Sequence, residues 1–164
     1  MILNLVLSFI LLSTPLLIKA QVSCAHDKKT FRCVEYVRNY DADTITVNIP
    51  NTHPLLGQEA NIRVYGIDTP EIRTKNLCEK KLAKEGKAVV EAMLKKAKMI
   101  NLVNVKKGKY FRVLADVEID GVSLSKFLLK NGYGYKYLGK TKKVINWCNF
   151  KENSKNKMTR QKGP

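Results

Sequence analysis

From Thr30 onward the chain shows two hydrophobic rhythms: runs in which apolar residues recur at every second position, and one long run in which they recur every three or four. A period of two marks a strand with one buried face, and a period near 3.6 marks a helix. The first rhythm predicts strands over 30–38, 44–49, 60–65, 99–106 and 111–119; in the last of these Val113, Ala115, Val117 and Ile119 share a face. The second predicts a helix over 79–98, with Leu82, Val89, Val90, Met93 and Ala97 as its buried stripe and Lys80, Lys84, Lys87, Lys95 and Lys98 on the solvated side. Asp120-Gly121 reads as a tight turn, Ser123 as the cap of a short helix over 124–130, and Asn131-Gly132 as its stop. Residues 141–148, carrying Val144, Ile145 and Trp147, read as a last helix, and Pro50 to Gly57 as a long connection.

Five short strands interrupted and followed by helices describe an α+β domain over residues 21–150, with a small closed barrel. Two segments stand outside it. Ile2 to Ile18 is almost wholly apolar and is followed by Lys19-Ala20, so residues 1–20 read as a signal peptide, with an uncleaved anchor as the alternative. That makes the protein secreted or periplasmic, or membrane-anchored if the segment stays. Residues 151–164 are polar and basic without apolar periodicity and read as a disordered tail.

Charge adds a partner to this picture. Lys and Arg number 30 against 14 acids, for a formal net charge of +16 over 164 residues. Such an excess favours a polyanion, nucleic acid or an anionic membrane surface. The four cysteines all follow the leader, which predicts two disulfides in an exported chain. Of three pairings, Cys24–Cys33 is favoured as a local clasp, and Cys78–Cys148 as a tie between the middle of the chain and its end. A zinc site is the alternative, but no Cys-x-x-Cys spacing supports it, and His26 and His53 show no ligand spacing.

The chemistry concentrates at three short stretches. Ile62 to Glu71 begins as a strand with Arg63 on its polar face, bends at Gly66, and ends in a Thr-Pro turn flanked by Asp68 and Glu71. Asp41-Ala42-Asp43-Thr44 opens the preceding strand; on an extended chain its two acids share a face. Lys109-Tyr110-Phe111-Arg112 begins a later strand. Fixed acids beside a fixed arginine suit a place where a hard cation meets a phosphate. Polar turn residues, or an arginine paired structurally to a carboxylate, are the plainer readings of the same stretches.

In their order, and in the four residues between Arg63 and Asp68, these motifs resemble the staphylococcal nuclease (thermonuclease) family, from about Phe31 to about Phe150. The resemblance implies a five-stranded OB-type barrel with about three helices. It implies a monomeric calcium-dependent nuclease that cuts DNA and RNA with low sequence specificity and leaves 3′-phosphates. Asp43 and Asp68, with the Thr69 carbonyl, match its calcium ligands, an all-oxygen set. Glu71 matches the proposed general base, Arg63 and Arg112 match the catalytic arginines, and Lys109 and Tyr110 match contacts to a terminal phosphate. Asp41 either adds to the field or caps its turn. Tyr135 and Tyr137 are candidates for stacking on bases, or else belong to the core. Ala42 and Phe111 stand where the family often has Gly, and the loop Pro50 to Glu59 is longer. A non-catalytic nucleic-acid-binding module of the same fold is the alternative function; it would lack metal or arginine groups that are all present here.

Overall fold

The computed structural model describes residues 23–108 and 112–154. The leader, the tail beyond Ser154, and Lys109, Tyr110 and Phe111 lie outside them. The elements are β1 (Glu35–Asn39), β2 (Thr44–Asn48), α1 (Pro54–Gly57), β3 (Ala60–Val64), β4 (Ile67–Asp68), α2 (Leu77–Lys96), β5 (Ile100–Lys107), β6 (Val113–Ile119), β7 (Val122–Ser123), α3 (Leu124–Lys130) and β8 (Tyr135–Lys136). A final stretch at 150–154 is helical.

The main sheet runs β1-β2-β3-β6-β5, with β7 beside β6; β3 and β6 are parallel and the other neighbours antiparallel. Its two ends meet through the segment ahead of β1 rather than through β1 itself. Phe31 and Leu102 exchange backbone bonds of 2.8 Å, and the Val34 amide donates to Ile100 O at 2.9 Å. A bulge between Val103 and Lys106, with Asn104 at φ 54°, turns β5 where the Val105 amide donates to Lys29 O. The five expected strands are therefore present in an α+β arrangement. Residues 30–34, expected to belong to the first strand, serve as this bridging segment instead.

Period-two faces make the core. Ile45, Val47, Ile62, Val64, Leu102, Ala115 and Val117 are buried between the sheet and α2 and α3. Each Val, Leu or Ile among them is worth about 1.5–3 kcal/mol on burial, more than a typical surface ion pair. Asn76 caps α2 by accepting from the Glu79 amide, so the helix starts two residues earlier than its apolar stripe indicates. Its buried residues are Leu82, Ala83, Gly86, Val90 and Leu94; Val89 and Met93 are only half-buried. The long connection contains α1, whose N-cap is His53.

Two expectations about the C-terminal part are corrected. Residues 141–146 form no helix. Val144 is fully exposed, so the apolar spacing there has no surface to bury against, and the run is drawn out as a strap toward Trp147. Residues 151–154, the described part of the expected disordered tail 151–164, are helical, with Lys151 bonded to Glu85 at 2.8 Å and set over the Tyr133 ring; 155–164 lie outside the described residues. Both favoured disulfides are present, Cys24–Cys33 and Cys78–Cys148, with Cα separations of 5.4 and 4.8 Å. No helix among the described residues is long and apolar enough to cross a membrane.

Candidate functional site

The pairing of β2 with β3 brings two of the three motifs together. Thr44 lies opposite Arg63 in register, so Asp43, one residue before β2, faces the polar side of β3. The Val64 amide donates to Asp43 O at 2.8 Å and locks that placement. Asp41 and Asp43 are not on an extended chain as expected. They form a bend, and Asp41 Oδ1 accepts the Asp43 amide at 3.0 Å, which makes Asp41 the cap of its own turn. Asn39 fastens the bend from below, its side-chain amide donating to Asp41 O at 2.8 Å and to Lys87 O of α2 at 3.2 Å.

After β3 the chain turns at Gly66, whose φ of +86° suits glycine, and enters β4. Asp68 pairs in register with Tyr135 of β8. A Cβ on Gly134 would stand 2.5 Å from Asp68 O, so a glycine is required for that approach. Pro70 then ends the strand, and the following turn is tied to α2: the Glu71 amide donates to Glu79 Oε1 at 3.1 Å and the Thr74 hydroxyl to Glu79 Oε2 at 2.9 Å.

The centre of the site is an arginine between two acids. Arg63 Nη1 bonds Asp43 Oδ1, and Arg63 Nη2 bonds Asp68 Oδ1 at 2.7 Å. The Thr69 amide donates to Asp43 Oδ2 at 2.9 Å, and the Tyr135 hydroxyl donates to Asp68 Oδ2 at 2.9 Å. Asp41, Asp43, Asp68 and Thr69 are all buried, while the Arg63 side chain is 18% exposed. Burial pushes the Asp43 carboxyl up, to about 8, against the pull of the Arg63 guanidinium, and Asp41 adds to the push. Burial alone would lower Arg63, but Asp43 and Asp68 more than offset it.

The other expected residues divide. Glu71 is about half exposed and lies beside the acids, joined to Asp68 through Lys142. Arg112 is exposed, its carbonyl accepting from the Gly108 amide at 2.7 Å, and among the described residues no side chain bonds its guanidinium. Lys109 and Tyr110 lie outside the described residues. Tyr135 is buried against Trp147, and its hydroxyl is spent on Asp68, so its ring is a core group rather than a stacking face. Tyr137 is half-buried beside it, its hydroxyl donating to Lys140 O at 2.7 Å.

Four side chains at the site had escaped notice: Asn39, Glu79, Tyr135 in its bonding role, and Lys142. Lys142 Nζ stands 3.1 Å from Asp68 Oδ1 and 3.2 Å from Glu71 Oε1. Burial draws its ammonium down, but the bonds to Asp68 and Glu71 prevail and hold it above the usual lysine value.

Could the site hold a hard cation? No group of three or more His, Cys, Asp or Glu side chains among the described residues is set to hold a metal ion. The donors are instead two buried carboxylates with Thr69 between their elements. The Thr69 hydroxyl is the one buried side-chain polar group among the described residues with no partner. The orphaned Thr69 hydroxyl beside two acids makes an all-oxygen donor set, the kind a small hard cation takes.

Comparison with known proteins identifies the family. The family model described as staphylococcal nuclease homologue matches residues 61–161, more than half of the chain. That range holds Arg63, Asp68, Thr69, Glu71 and Arg112, whereas Asp41 and Asp43 precede it. The chain is also 33% identical over 97 residues to an uncharacterised protein of Bacillus anthracis, a match covering 57% of this chain. It spans about two fifths of that relative's length, 42%.

Proposed function

Because the chain belongs to the staphylococcal nuclease homologue family, we propose that it is an exported, calcium-dependent nuclease that hydrolyses phosphodiester bonds of DNA and RNA with low sequence specificity, leaving 3′-phosphates. The observation that carries this reading is the Asp43–Arg63–Asp68 arrangement, with Thr69 and Glu71 on the same turn. Asp43, Asp68 and Thr69 would hold calcium, which when bound would neutralise charge on the substrate phosphate. Glu71, half exposed beside the acids, would take a proton from an attacking water. Arg63 spends part of its fork on the two acids, and its remaining N–H groups can meet a phosphate oxygen. Arg112, unengaged by any described side chain, brings a second fork to the same anion. The net charge of +16 holds the polymer without reading its sequence.

A binding module that does not cut is the competing reading, and retention of both arginines, both metal-ligand acids and Glu71 speaks against it. The test is product analysis. End-labelled single-stranded DNA and RNA are incubated with the purified chain and calcium. The expected products are a ladder of fragments that a 3′-phosphatase converts to a slower-migrating set. Intact substrate that is nevertheless retarded in a native gel identifies the binding module.

A further inference from the structure

We propose that Lys142 is an internal counter-ion of the site: its ammonium occupies Asp68 and Glu71 in the cation-free chain and competes there with a divalent cation. This role rests on the calcium reading above and adds to it a residue that lies outside every motif of the resemblance. Lys142 Nζ bridges the buried candidate ligand, Asp68 at 3.1 Å, and the rim candidate base, Glu71 at 3.2 Å. The strap that carries it is held at two points after the contact. The Lys143 amide donates to the Tyr135 hydroxyl at 3.2 Å, and that hydroxyl donates to Asp68 Oδ2; farther on, Cys148 is bonded to Cys78 in the first turn of α2.

The lysine is not needed to satisfy Asp68. Asp68 Oδ1 already takes Arg63 at 2.7 Å and Oδ2 takes Tyr135 at 2.9 Å, so Lys142 brings surplus positive charge rather than a missing bond. It is also the cation free to leave. Its side chain is 52% exposed on a flexible stem, whereas the planar Arg63 fork is 18% exposed and bonded to both acids. A divalent cation arriving at the Asp68 oxygens meets a like charge and must displace it, so the strap sets how tightly the site binds cations.

The experiment is calorimetric titration of calcium chloride into the oxidised full chain. Lys142→Gln is expected to tighten calcium binding by about fivefold, the upper range for one partly exposed charge pair. Lys142→Arg, which keeps the charge, stays near wild type. Lys143→Gln, which removes the same charge from the neighbouring position, leaves the affinity unchanged. If wild type binds calcium and Lys142→Gln binds it equally or more weakly, the counter-ion role is overturned and the calcium reading stands. Equal tightening by Lys143→Gln also overturns it, because the effect is then one of net charge. Calcium binding by neither wild type nor Lys142→Gln overturns both readings.

Discussion

The two candidate arginines stand in opposite surroundings. Arg63 lies in the middle of a strand, its side chain mostly buried and bonded to Asp43 and Asp68, each of which is fixed in turn by Thr69 or Tyr135. Arg112 lies just before β6, exposed, with no described side chain on its guanidinium. The half of the candidate site around Arg63 is prebuilt by the fold; Arg112, proposed as the other half, is engaged by no described side chain. The contrast has an energetic meaning. A buried charge pair is costly to break because the survivor is stranded, whereas an exposed arginine can be lost at little cost to stability.

Mutations can break this contrast, and the largest effect belongs to the prebuilt half. Asp43→Ala removes partners of both Arg63 and the Thr69 amide and should destabilise the fold by roughly 3 kcal/mol, read by urea denaturation. Arg112→Ala should change stability by less than about 0.5 kcal/mol. Comparable losses would mean that Arg112 is structural as well. Next, Arg63→Lys and Arg112→Lys should each lower turnover about a hundredfold or more while nonspecific affinity barely changes, as gel shift and initial rates would reveal. Arg63→Lys alone should also lose stability, because a lysine cannot span Asp43 and Asp68 as the fork does. Near-wild-type cutting by either variant removes that arginine from the mechanism.

Reduction of Cys78–Cys148 releases the strap and opens a loop of 70 residues, with an expected cost of about 2–4 kcal/mol seen as a lower melting temperature. The loss should fall on the Asp68 side, so hydrogen exchange should rise at Tyr135 and Lys143 and not at β5. Smallest is Tyr135→Phe, which deletes the bond to the Asp68 carboxylate together with the one accepted from the Lys143 amide, and should cost about 1–2 kcal/mol. If its stability equals wild type, the hydroxyl does not position Asp68.

The same contrast governs what could be read from the sequence. The prebuilt half was legible where local pattern decides structure. Arg63 alternates with the buried Ile62 and Val64, and Asp120-Gly121 and Ser123 are turn and cap residues with a single use. What the sequence hid depends on contacts between distant segments. Tyr135 reads equally as a stacking or a core residue until β8 pairs with β4 and brings its hydroxyl to Asp68. Lys142 is one lysine among many; only the strap's course, fixed by Cys148 on α2, places it on the acids. The helix expected over 141–148 rested on Val144, Ile145 and Trp147, of which only Trp147 is buried. Residues 29–34 are bonded to β5 by backbone groups that leave no mark in a pattern of side chains.

The central claim is that the acids hold a cation without which the site cannot cut, and one measurement reaches it directly. Supercoiled plasmid is incubated with the purified chain in calcium and, in parallel, in excess EGTA, with gel retardation followed in both. Complete degradation in calcium, and in chelator an uncut plasmid that is nevertheless retarded, is the expected outcome, since the basic surface binds the polymer regardless of the metal. Equal cleavage in the presence of EGTA would contradict the calcium assignment, and no cleavage in either would leave a protein that binds nucleic acid without cutting it.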